Sequence, residues 1–109
     1  MAAPCHPRHP RHELDPVLAA SPLRLSLMTA LNEGEPVRYR DVANLLDVRD
    51  AVLSHECAKL LKAGYLNIYL DEVDRRVRWL QLTGLGQEAL YRHANVLRRI
   101  LDATVLTPH

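Results

Sequence analysis

Three arginines stand close together beyond an acidic run, in the segment Asp71-Glu72-Val73-Asp74-Arg75-Arg76-Val77-Arg78. A guanidinium group binds anions through a planar fork of N–H donors, and a carboxylate two residues earlier can fix its direction by a bidentate pair. Arginines carried beyond a tight turn can track a narrow DNA minor groove, whose negative potential attracts them. The competing reading is a charged hairpin loop that keeps an edge strand soluble.

A second cluster, Cys5, His6, His9 and His12, brings together metal-ligand residue types. Spaced by three in a polyproline-like arm, the histidines fall along one side, where zinc or nickel could be captured if the arm folded back or met its dimer mate. A disordered arm is the expected state, so no cofactor and no metal site are assigned. Cys57 is expected on the inward face of a helix as a small buried thiol. One cysteine in a tail and one in a helix make no disulfide framework. No nucleophile–base pair, phosphate loop or paired carboxylate set is present, and no enzyme activity is expected.

The elements that must position these residues follow from periodicity. Residues 1–13 are rich in Pro, His and Arg, with no period that could pack on a core, and read as a disordered arm. Asp15-Pro16 and Ser21-Pro22 each look like a helix cap followed by proline at the first helical position, so a short turn is expected to restart as a helix. Leu23, Leu27, Ala30 and Leu31 continue it until Gly34 and Pro36 stop it. Val37-Arg38-Tyr39 reads as a very short strand. A two-turn helix is expected over Asp41–Leu46, with Val42, Leu45 and Leu46 inward, then a turn at Asp47-Val48. A third helix over Arg49–Ala63 places Leu53, Cys57 and Leu60 at i, i+4 and i+7, with Gly64 at its left-handed C-terminus. Tyr65–Leu70 and Val77–Leu82 are β-prone and form a hairpin. Thr83 caps a last helix reaching about Leu106, whose start Gly84 and Gly86 are expected to fray.

Helix, strand, helix, turn, helix, two strands and a long helix is the order of a winged helix-turn-helix. The expected class is α+β, mainly α. The expected division is an arm over 1–13, a winged helix-turn-helix domain over 14–82 and a C-terminal dimerisation helix over 83–106. Composition agrees. A chain of 109 residues suits one domain. With 48% apolar residues, no Phe and one Trp, its core must be built from Leu, Val, Ile and Ala. The net charge of +1 excludes a uniformly basic surface, so anion binding must come from local clustering. No run approaches the roughly 18 apolar residues of a membrane helix, and Met1–His12 lacks the core of a signal peptide. No membrane partner and a cytoplasmic location are expected.

The second helix of a helix-turn-helix enters the major groove with its polar outer face. Here Arg49, Asp50, Ala51, Ser54, His55, Ala58, Lys59 and Lys62 point outward. Glu56 and Asp50 offset much of the charge of Arg49, Lys59 and Lys62, so that helix is only weakly basic.

Asp71-x-x-Asp74-Arg75-Arg76, an alternating strand and then Leu82-Thr83-x-x-Gly86 resemble the wing signature of MarR-type transcriptional regulators. Leu60-Leu61-Lys62-Ala63-Gly64-Tyr65-Leu66 is similar to that family's recognition-helix end and first wing strand, and the likeness spans roughly residues 14 to 101. It implies a sequence-specific DNA-binding regulator whose partner is double-stranded DNA. By the resemblance, Arg76 enters the minor groove and Asp74 orients it. Arg49, Ala51, Val52, Ser54 and His55 occupy the base-reading positions, and Arg38 and Arg40 become phosphate contacts. The candidate DNA-binding residues are therefore Arg38, Arg40, Arg49, Ser54, His55, Lys59, Asp74, Arg75, Arg76 and Arg78. Related proteins often bind small aromatic effectors, and nothing in this sequence marks such a pocket. Arg49, Ala51 and Val52 depart from the usual Ser, Thr or Asn; Ala and Val can touch a thymine methyl but cannot hydrogen-bond a base edge. A protein-interaction module with weak or lost DNA binding is the alternative.

Leu90, His93, Leu97, Ile100 and Thr104 recur at alternating spacings of three and four. That stripe is wider than one domain needs, which makes a homodimer seam the expected use. The alternative is packing within the chain.

Overall fold

A computed structural model of the chain describes residues 9–103. A one-turn 3-10 helix, Pro10–Glu13, precedes α1 (Pro16–Ala19) and α2 (Pro22–Ala30). Then follow β1 (Val37–Arg38), α3 (Tyr39–Leu46), α4 (Asp50–Ala63), β2 (Leu66–Leu70), β3 (Arg78–Leu82) and α5 (Gly84–Ala103). The strands form one antiparallel sheet in the order β1-β3-β2, with Leu66 opposite Leu82, Leu70 opposite Arg78 and Val37 opposite Leu80. This is the expected mainly helical winged helix, with its long last helix.

Local chemistry sets the boundaries. Asp15 Oδ1 accepts from the N–H groups of Val17 and Leu18, Ser21 Oγ accepts from Arg24 N–H, and proline follows each cap, so the helix starts twice as expected. Asp47 adopts the left-handed conformation at φ 53 and closes α3 through the Val48 N–H to Ala43 carbonyl bond of 3.1 Å. A single aspartate tolerates that conformation, and the turn between the two helices stays tight. Gly64, at φ 80, ends α4 in a paired-bond motif: its N–H donates to Leu61 and the Tyr65 N–H to Leu60.

Leu18, Leu27, Met28, Leu31, Val42, Leu53, Cys57, Leu60, Leu66 and Leu80 make one buried core. Leu27 and Met28 of α2 share this core with Leu53, Cys57 and Leu60, the inward stripe expected for α4.

Four expectations change. The 3-10 turn at 10–13 packs against α5 and ties to it through Glu13 and Arg99, whose Nη1 lies 3.0 Å from Oε1, so these four residues are not part of an unstructured arm. α3 begins at Tyr39, two residues early, and its inward face is Tyr39, Val42 and Leu46. Leu45 lies about 100° around the helix from that face and is 70% exposed. The start of α5 is anchored rather than frayed. Thr83 Oγ1 accepts from Gly86 N–H at 2.9 Å and donates to the Gly64 carbonyl at 2.6 Å. Gly86 is buried, and a Cβ there would stand 2.2 Å from the Tyr65 carbonyl oxygen, so the glycine is a packing requirement.

The fourth change concerns the dimer stripe. Leu90 and His93 are buried within the single chain, His93 Nδ1 accepting from the Asp15 N–H at 3.3 Å. They are already covered and present no surface to a second copy. Leu97 and Ile100 are half-buried, Tyr91 and Leu101 are exposed, and Thr104 lies outside the described residues.

Candidate nucleic-acid interface

α4, the second helix of the helix-turn-helix, is held from below by a buried ion pair that joins it to α2. Arg24 Nε donates to Glu56 Oε2 at 2.8 Å, and Arg24 Nη1 donates to the Val17 carbonyl at 2.7 Å. Ser21 Oγ donates to the other Glu56 oxygen at 3.2 Å. Glu56 therefore faces the domain, not the solvent-facing side of α4, and its charge is neutralised there. Glu56 thus does not offset the basic residues of the reading face, contrary to what its place in the sequence led one to expect. Ala51, Val52, Ser54, His55, Ala58, Lys59 and Lys62 all lie exposed on that face, with Arg49 before it.

The wing loop is ordered by its two aspartates. Asp71 Oδ2 accepts from the N–H groups of Val73 and Asp74, while Oδ1 accepts from Trp79 Nε1 at 3.1 Å. Those donors hold the Asp71 carboxyl below its ordinary value, the Asp74 N–H contributing most. Asp74 Oδ1 accepts from the backbone N–H and from Nε of Arg76, both at 3.1 Å, and Oδ2 accepts from Nη2 at 3.3 Å. The Arg76 bond lowers the Asp74 carboxyl as well. This is a braced arginine: its side chain is 91% exposed yet tied along one edge of its guanidinium fork. Arg75 beside it is also exposed.

Arg38 and Arg40 are exposed at the start of α3, with the Arg38 guanidinium 6.0 Å from the Trp79 ring centre. A cleft of about 610 Å³ separates α3 and the start of α4 from the wing. Arg38, Arg40, Arg76 and Arg78 line it against Asp50 and Asp74. The fold thus gathers into one concave face cations that are 40 residues apart in sequence at the extremes, Arg38 to Arg78. Ser54, His55 and Lys59 extend along α4 and are not among the cleft residues.

Arg78 differs from its neighbours. Its Nη2 donates to Asp50 Oδ1 at 2.8 Å, and its guanidinium carbon lies 3.7 Å from the Tyr39 ring centre. Tyr39 in turn donates from its hydroxyl to the Asp50 carbonyl at 3.1 Å. Sequence reasoning missed this knot, along with Arg24–Glu56, because every partner is distant in the chain and no local spacing marks the pairing.

Cys57 lies buried on the inward face of α4, and burial pushes its thiol up to about 11. His9 caps the 3-10 turn, its Nδ1 accepting from Arg11 N–H at 3.1 Å, whereas Cys5 and His6 lie outside the described residues. Among the described residues no group of three or more His, Cys, Asp or Glu could hold a metal ion, and no helix is long and apolar enough to cross a membrane.

The sequence matches a family described as a winged helix DNA-binding domain over residues 23–101. No curated protein matches it. Among solved structures it is similar to a transcriptional regulator homologue from Pyrococcus horikoshii OT3, with a TM-score of 0.74 and 23% identity, covering 79% of this chain and 85% of that one. It is similar to the transcriptional regulator BldR from Sulfolobus solfataricus, with a TM-score of 0.68 and 26% identity over 84% of this chain and 68% of that one. A third similar structure is reduced AbfR bound to DNA, with a TM-score of 0.65 and 18% identity, covering 82% and 64%.

Proposed function

This chain is a MarR-type member of the winged helix DNA-binding domain family, and from that premise we propose that it is a sequence-specific transcriptional regulator acting on double-stranded DNA as a homodimer. α4 lies in the major groove and the wing in the adjacent minor groove. The observation that carries this reading is Arg76, extended into solvent and aimed by Asp74. An exposed arginine tied along one edge has lost part of its rotamer freedom before any ligand arrives, which lowers the cost of inserting it into a narrow groove. Arg38 and Arg40 contact phosphates and set the register, Arg75 supports the wing, and Arg49, Ser54, His55 and Lys59 face the bases and the flanking backbone. Ala51 and Val52 favour thymine methyl groups.

A second copy would pair through the outer side of α5, where Tyr91 and Leu101 are exposed and Leu97 and Ile100 half-covered. A two-fold pair presents two α4 helices to a palindromic site, with half-sites about one helical turn apart. Sedimentation at micromolar concentration reads the dimer directly, and a monomeric mass would remove it.

A second reading, a winged-helix module that binds protein, draws on Val52 and Leu45, which leave apolar surface on the helix-turn-helix. Competition separates the two. Binding to a duplex selected from a random library, displaced by the minor-groove ligand distamycin, supports the DNA reading; failure to select any duplex supports the module.

A further inference from the structure

Arg78, Asp50 and Tyr39 belong to three different elements and meet at the base of the cleft. Arg78 comes from the first residue of β3, Asp50 from the first turn of α4 and Tyr39 from the first turn of α3. The Arg78–Asp50 bond of 2.8 Å, the guanidinium stacked 3.7 Å from the Tyr39 ring centre and the Tyr39 hydroxyl bond of 3.1 Å to the Asp50 carbonyl close a triangle. A guanidinium held on its flat face by a ring and on its edge by a carboxylate has little freedom left.

We propose that Arg78 and Asp50 are positioning residues that set the angle of the wing against α4, and that Arg78 itself does not contact DNA. This rests on the DNA-binding reading above. Two arginines of the same wing thereby divide the work. Arg76 is braced by its own loop and reaches out, while Arg78 is turned back onto the reading helix. Asp50 would otherwise bring an uncompensated negative charge to the mouth of the major groove, where phosphates repel it. Pairing with Arg78 removes that repulsion and links the two devices that must enter neighbouring grooves together. When two contacts are made by one rigid body, the second is gained at high effective concentration, and a loose joint forfeits that gain.

The pair is surface-exposed, 40% for the Arg78 side chain and 69% for Asp50, so removing it leaves the melting temperature nearly unchanged. The test is fluorescence anisotropy on a labelled duplex selected from a random-sequence library, run as a salt series with wild type, Arg40→Ala, Arg78→Ala, Asp50→Ala and the double variant. Asp50→Ala is expected to weaken binding about fivefold although it removes a negative charge, and the double variant to bind no worse than Arg78→Ala. Arg78→Ala should keep the wild-type slope of log affinity against log salt, whereas Arg40→Ala lowers it by about one. Unchanged or tighter binding by Asp50→Ala, or a slope lowered by about one in Arg78→Ala, overturns the positioning role while the DNA reading stands. A wild-type chain that binds no duplex overturns both.

Discussion

Arg24 and Glu56 lie 32 residues apart in sequence, and Nε and Oε2 stand 2.8 Å apart between α2 and α4. Their side chains are only 11% and 12% exposed, and the pair is completed by Ser21 and the Val17 carbonyl. Replacing Glu56 by Ala strands a buried guanidinium with one carbonyl partner. Loss of about 3 kcal/mol of stability is expected, read by urea denaturation, and Glu56→Gln should lose less because it keeps an acceptor.

Gly86 and Gly84 share a residue type and differ in surroundings. A Cβ at Gly86 meets the Tyr65 carbonyl oxygen at 2.2 Å, whereas at Gly84 nothing lies within 4 Å. Gly86→Ala should destabilise by about 2 kcal/mol or more, since backbone must shift. Gly84→Ala should stabilise by about 0.5 kcal/mol through the unfolded chain. Thermal melts of the two variants moving in opposite directions would check the pairing of α5 with the start of the wing.

How much of this was legible in the sequence depends on the range of the interaction. The wing was legible because Asp71 binds the N–H groups of Val73 and Asp74, Asp74 binds Arg76 and Thr83 caps Gly86, all within three residues, so their spacing carries that geometry. The inward stripe of α4 was legible because 14 residues give the helical period enough repeats. α3 has only eight, and a start shifted by two residues moved Leu45 from the core to the surface. The stripe on α5 was visible, but not what covers it. His93 accepts from the Asp15 N–H and Leu90 joins the hydrophobic core, partners distant in the chain that no local spacing marks. The Arg78–Asp50 tie joins residues 28 apart, and charge patterning alone assigned both to solvent.

His93 makes stability depend on pH. Burial lowers its imidazole from the ordinary 6.5, with the Asp15 carboxylate pulling weakly upward. The unfolded chain therefore takes up this proton first as pH falls. Stability is full above about pH 6.5 and declines as pH drops through the lower folded-state value. Glu13, Asp71 and Asp74 are held down by their partners and add their losses only below the ordinary carboxylate range. Denaturation midpoints at pH 7 and pH 5 should differ for wild type, and His93→Gln should flatten that difference.

The Cys57 thiol, buried on the inward face of α4 and pushed up to about 11, is protonated at neutral pH. In a Cys5→Ser chain, where Cys57 is the remaining thiol, a thiol reagent should leave it unmodified in the native state and modify it on unfolding in urea. Rapid native modification would mean that α4 opens readily.

The salt dependence of duplex binding, with wild type beside Arg76→Ala, bears most directly on the DNA-binding wing. Wild-type affinity should fall steeply as salt rises, because phosphate contacts release counterions, and Arg76→Ala should weaken binding across all sequences. Binding that is absent, indifferent to salt or unmoved by Arg76→Ala would contradict it.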